Sequence, residues 1–190
     1  MIKMIALVSA CIICFNLQAQ QRMTIDLEPS FDAPASIEIQ VKQHRSVQIV
    51  FKQMGTLKPD ESAFSWVQDT ITIVHPRRLG RYFQQFAFSD TIRLEAQSST
   101  NLLKAFTEVY VNRDELSRLK DDRLMIDGMP CLIIIPVSKQ NQYTIAFRPP
   151  ALTKTQTLDR LIREILAALK IESTNPATVN YCMIIGGYLK

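Results

Sequence analysis

The stretch SIEIQVKQHRSVQIVF, Ser36 to Phe51, decides how this chain folds. Ile37, Ile39 and Val41 alternate with Glu38, Gln40 and Lys42. After QHR the pattern returns with Val47, Ile49 and Phe51. Side chains of a strand point to opposite faces with period two, so each half carries one apolar face and one polar face. The short polar joint turns the chain back, and the two halves are predicted to pair as an antiparallel hairpin.

More strands flank it. Met23 to Leu27 reads as a short strand, followed by a loop with Pro29 and Pro34. KQMGTLKPDES is a loop by its Gly, Pro and Asp content. TITIV, Thr70 to Val74, and DTIRLEA have strand patterning, and RYFQQFAF reads as a strand or an amphipathic turn. AQSSTN, near residues 96–101, is a possible subdomain boundary.

Beyond it the pattern mixes. NLLKAFTEVYV fits helical spacing through Leu102, Leu103, Phe106, Val109 and Tyr110, yet FTEVYV also fits a strand. RDELSRLK is predicted to be a short helix. LMIDGMPCLIIIPV reads as two strands joined through Asp127-Gly128, residues that tolerate the positive φ of a tight turn. Leu132 to Ile135 is apolar on both faces, which places it inside a sheet. QYTIAFRPP is a strand stopped by two prolines.

The clearest helix is Leu158 to Leu169. Leu158, Leu161, Ile162, Ile165, Leu166 and Leu169 form one stripe, with Asp159, Arg160, Arg163 and Glu164 turned away. The polar face is mixed in sign, so the stripe is expected to pack on the sheet and not on a membrane. ESTNPATVN then leads to YCMII, read as a last strand. The fold class is α+β: a mostly antiparallel sheet with a C-terminal amphipathic helix packed on one face.

The chain opens MIKMIALVSACIICFNLQAQ. Lys3 gives a positive start, Met4 to Leu17 is almost wholly apolar, and Leu17 and Ala19 stand where a small-residue cleavage site belongs. This is the layout of a signal peptide, residues 1–19, with cleavage before Gln20. The apolar run is shorter than the ~20 residues of a spanning helix, which disfavours a membrane anchor. Lipid attachment at Cys11 would leave too little apolar run ahead of it. No later run is long enough to span a bilayer. The mature chain, 20–190, is expected to be one exported domain, periplasmic or secreted.

Processing changes the cysteine count. Cys11 and Cys14 form C-x-x-C, a redox or metal spacing in a cytosolic enzyme, but both leave with the leader. Cys131 and Cys182 remain, either as a disulfide in an oxidising compartment or as two buried thiols.

Loss of Lys3 takes the net charge from +4 to +3, which is too mild to indicate nucleic acid. H-E-x-x-H, G-x-S-x-G and the Walker loop are absent, and five glycines supply no phosphate cradle. No metal or cofactor is implied. Asp121 and Asp122 are adjacent, so they tend to point apart and make a poor carboxylate pair for glycoside hydrolysis.

The densest chemistry is TIVHPRRLGRYF, Thr72 to Phe83. Pro76 ends a strand and Gly80 permits a turn. Arg77, Arg78 and Arg81 cannot all be buried, and guanidinium forks suit carboxylates and phosphates. The stretch is read first as a solvated turn. Its alternative is an anion site at His75, Arg77, Arg78 and Arg81, extended by Lys42, His44 and Arg45 if both loops share an end of the sheet. The functional expectation is a non-catalytic binding or accessory module of a bacterial envelope or cell exterior, with a protein or an anionic envelope component as partner. The alternatives are a secreted hydrolase assembled from distant residues, with His75 as base, and a structural assembly subunit.

Overall fold

The computed structural model describes residues 21–29, 32–54, 86–119, 128–138, 140–150 and 155–189. The leader, Thr70 to Val74, the whole HPRRLGR stretch, Asp121, Asp122 and the strand expected before Asp127 lie outside the described residues.

The alternating segments become strands: β1 (Gln21–Leu27), β2 (Ala35–Val41), β3 (Val47–Met54), β4 (Phe86–Leu94), β5 (Cys131–Pro136) and β6 (Gln142–Phe147). Among the described residues they make one sheet in the order β4-β3-β2-β1-β5-β6, with every neighbouring pair antiparallel. The expected hairpin is β2–β3, with Ile37 opposite Phe51 and Ile39 opposite Ile49. The first four strands are neighbours in sequence order. β5 then returns to the free side of β1, pairing Ile133 with Ile25.

Register puts the apolar sets on one face. Phe51, Ile37, Ile25, Ile133 and Ile145 lie opposite one another in a row across five strands, and all are buried. A one-residue slip would turn each set to the other face, so this burial locks the pairing. β5 is an inner strand as expected: Ile133 and Ile135 are buried, while Leu132 and Ile134 are half-buried on the opposite face.

Four helices accompany the sheet among the described residues: α1 (Thr100–Val111), α2 (Arg113–Arg118), α3 (Gln156–Glu172) and α4 (Pro176–Ile185). The stripe on α3 is buried at all six predicted positions. It joins the strand residues, Phe106 and Val109 of α1, and Tyr181, Cys182 and Ile185 of α4 in one core. Burying each large aliphatic side chain is worth roughly 1.5–3 kcal/mol. Residues on both sides of 96–101 share this core.

One open reading is settled and one is overturned. The ambiguous segment after Asn101 is helical, with Leu102, Ala105, Phe106 and Val109 on its buried side. YCMII is not a strand. It is the second half of α4, whose start is written in the preceding NPA: the Asn175 side chain accepts from the Ala177 N–H at 3.0 Å, and Pro176 takes the first turn, where its missing N–H is no loss. Apolar composition alone suggested a strand, and the cap overrides it.

α4 is also tied to the sheet. The Asp90 carboxylate on β4 accepts from the Thr178 hydroxyl at 2.8 Å and from the Ser173 hydroxyl, and Thr178 is wholly buried. Asp90→Ala strands these donors and is expected to lower stability by about 1–3 kcal/mol. Urea unfolding measures this; an unchanged midpoint would mean that the carboxylate does not hold α4.

Candidate functional site

The β2–β3 turn departs from ordinary backbone geometry. The Lys42 N–H donates to Ser46 O at 2.9 Å, closing a loop over Gln43–Arg45. His44 (φ 62°) and Arg45 (φ 61°) both lie in the left-handed region. This conformation costs an L residue about 1–2 kcal/mol, and histidine is among the side chains that visit it more often than most. The turn is held from below. Ser99, wholly buried at the junction of β4 and α1, brings its hydroxyl to 3.3 Å from both Arg45 O and Ala96 O.

That hydroxyl sets Arg45 at the N-terminal end of α1. An open cleft of about 680 Å³ runs along the helix from there. Its apolar lining is Val41, Leu103 and Val111. Thr100 and Thr107 add hydroxyls, and Gln21 and Asn112 add amides. Arg45 and Lys104 supply positive charge at one end. Neither has a carboxylate partner among the described residues, whose ion pairs join Glu38 to Arg22 and Lys52, Asp114 to Arg118, and Glu108 to Arg160. The first turn of α1 carries no acid.

A second hollow of about 590 Å³ adjoins it at the C-terminal end of α1. It shares Glu108 and Asn112 with the first and adds Glu115 of α2 with Thr157 and Arg160 of α3. The Arg160 guanidinium donates to Glu108, bridging α3 to α1 between residues that line this hollow. The two hollows therefore grade from cationic at Arg45 and Lys104 to acidic at Glu115.

The expected site residues divide. Arg45 lines the cleft. His44 is exposed on the same turn but lines neither hollow. His75, Arg77, Arg78 and Arg81 lie outside the described residues. Lys104 was not anticipated, because on the sequence it is one lysine inside a segment that reads equally as strand or helix. Only helical geometry and the Ser99 hydrogen bond bring it near Arg45.

Cys131 and Cys182 are free thiols, which corrects the disulfide alternative. Cys131 Sγ donates to Met129 O at 3.3 Å, and Cys182 enters the core from α4. Burial, with the charges of Asp159 and Glu28, pushes the Cys131 thiol well up. Burial and Asp90 push Cys182 up to about 11. Both are thus held as unreactive protonated thiols. Nearby, the Tyr181 hydroxyl is buried without a hydrogen-bond partner among the described residues, and its pKa is raised by burial. Burial, reinforced by Asp26, also raises the Glu28 pKa.

On the opposite sheet face Glu38 accepts from Arg22 at 2.8 Å and Lys52 at 3.0 Å. Burial alone would raise its pKa, but the two cations outweigh it and the net shift is downward. Among the described residues no group of three His, Cys, Asp or Glu is arranged to hold a metal ion, and no helix is long and apolar enough to cross a membrane. Comparison with protein-family models, curated proteins and solved structures finds no match to this chain.

Two measurements test this geometry. Iodoacetamide near pH 8 should leave both thiols of the native protein unlabelled, and urea without reductant should expose both Cys131 and Cys182 to alkylation; mass spectrometry showing neither alkylated in urea would restore the disulfide. His44→Gly relieves the left-handed strain and is expected to raise stability by about 1 kcal/mol in urea unfolding, with a loss contradicting the strained turn.

Proposed function

We propose that this chain is an exported, non-catalytic binding or accessory module of a bacterial envelope or cell exterior, and that it binds through the cleft along α1. The observation that carries the reading is the pair Arg45 and Lys104, two cations without a carboxylate partner among the described residues, beside an apolar lining in an open cleft. Such cations stay hydrated until an anion arrives, and they steer its approach. The turn that carries Arg45 holds strained backbone against the buried Ser99, and strain of this kind clusters at functional positions.

The chemistry favours a protein or an anionic envelope component as partner. The mild net charge argues against nucleic acid, which rewards a broad basic surface. Export rests on the leader, whose short apolar run and LQA ending suit cleavage before Gln20.

One observation favours a second reading, an assembly subunit. β4 is a nine-residue strand at the end of the sheet, and among the described residues its outer edge has no strand partner. Such an edge accepts a strand from another chain.

Fractionation of the native cell with N-terminal sequencing tests export. The protein should be recovered from the periplasm or the medium beginning at Gln20, and material in the cytoplasm that still begins at Met1 would overturn the reading. Light scattering on the mature protein separates the two modes: a monomer favours the cleft, and a concentration-dependent oligomer favours the β4 edge.

A further inference from the structure

We propose that the cleft takes a short extended peptide segment with an acidic residue at one end and a basic residue at the other, the acid on Arg45 and Lys104 and the base beside Glu115. This names the ligand class for the cleft and rests on its being the binding surface.

Three features converge on such a ligand. The first is charge order. Ser99 sets Arg45 at the N-terminal end of α1, and Lys104 follows one turn into the helix. Glu115 lies beyond the C-terminal end, on α2, in the hollow that shares Glu108 and Asn112 with the cleft. Arg45, Lys104 and Glu115 have no ion-pair partner among the described residues, whereas Glu108 between them is already neutralised by Arg160. The open charges are therefore positive at one end and negative at the other.

The second is length. α1 has twelve residues, and at a rise of about 1.5 Å each it spans about 18 Å. An extended peptide advances about 3.3 Å per residue, so five or six residues reach from one charged end to the other. The third is the middle of the path. Leu103 and Val111 offer apolar surface, with Val111 66 % exposed. The Thr107 hydroxyl lines it too, and Thr100 and Asn112, which donate to the carbonyls of Ala96, Gln97 and Glu108, keep side-chain oxygens able to accept from a peptide N–H.

The same order disfavours the other anionic ligands. A polyanionic glycan repeats its charge along its length, so the part drawn to Arg45 and Lys104 would drag further negative charge towards Glu115. The broad headgroup plane of an anionic bilayer cannot enter a cleft beside a helix.

The experiment uses the full mature chain, fluorescently labelled, on four bead-bound hexapeptide libraries. Their end residues are fixed as acid–base, base–acid, acid–acid or base–base, and the inner positions are randomised over Val, Leu, Thr and Ala. One of the opposite-ended libraries should capture about tenfold more protein than the acid–acid library, the difference that one additional charge-assisted hydrogen bond makes. Lys104→Glu, an exposed position, and Lys104→Glu with Arg45→Glu should move that preference to the base–base library. Thermal unfolding of each variant confirms that it is folded.

Equal capture by all four libraries, or a preference unmoved by either variant, overturns the peptide. Heparin and phosphatidylglycerol vesicles are the control arms. If either binds, and binding is lost in the variants while the libraries show no preference, the peptide fails and the binding cleft stands. If no probe binds in a manner dependent on Arg45 and Lys104, both fail.

Discussion

The structure depends on one buried seam, where the apolar face of the antiparallel sheet meets the stripe of α3. The strands bury every second side chain, and the row from Phe51 through Ile37, Ile25 and Ile133 to Ile145 needs a cover across five strands. Leu158, Leu161, Ile162, Ile165, Leu166 and Leu169 provide its central part. A single helix is too narrow for a six-stranded sheet, since helices pack about 8–10 Å apart and each strand adds about 4.8 Å of width. α1 and α4 therefore flank α3 and complete one core with it. Their positions follow from that geometric need as much as from their own sequences.

The cleft is a consequence of the same packing. α1 buries Leu102, Ala105, Phe106 and Val109, so the opposite flank of the helix carries Thr100, Lys104 and Thr107 out towards solvent beside the β2–β3 turn. Nothing in the hairpin itself requires His44 and Arg45 to adopt left-handed backbone, because commoner hairpin loops avoid it in bulky residues. The conformation is held by a buried serine from another part of the chain. The strained turn and two cations without an acid partner among the described residues thus stand side by side at this end of α1.

The remaining polar groups inside the fold have structural work. Asp90 joins β4 to the start of α4 through Ser173 and Thr178, and Tyr188 donates to Asp32 at 2.8 Å to fasten the C-terminal turn. Cys131 and Cys182 serve as small apolar side chains whose protonated state is enforced by burial. Cys131, Cys182 and Tyr181, whose pKa values burial raises, belong to the core, whereas Arg45 and Lys104 line the cleft.

Much of this was legible in the sequence. Period-two alternation is a local property, and it marked β1, β2, β3 and the hairpin. The period of α3 marked the helix and its buried side. Where a short apolar run suits either element, local pattern does not discriminate: Leu102 to Tyr110 became a helix because its buried side completes the cover of the sheet, and Tyr181 to Ile185 became one because Asn175, Pro176 and Asp90 set its start. The return of β5 beside β1, the meeting of Arg45 with Lys104, and the freedom of the two thiols are facts of distance between residues far apart in the chain. The sequence by itself determined which side chains must leave water. Only the tertiary structure decided which of the others would meet, because that depends on how separate elements share one core.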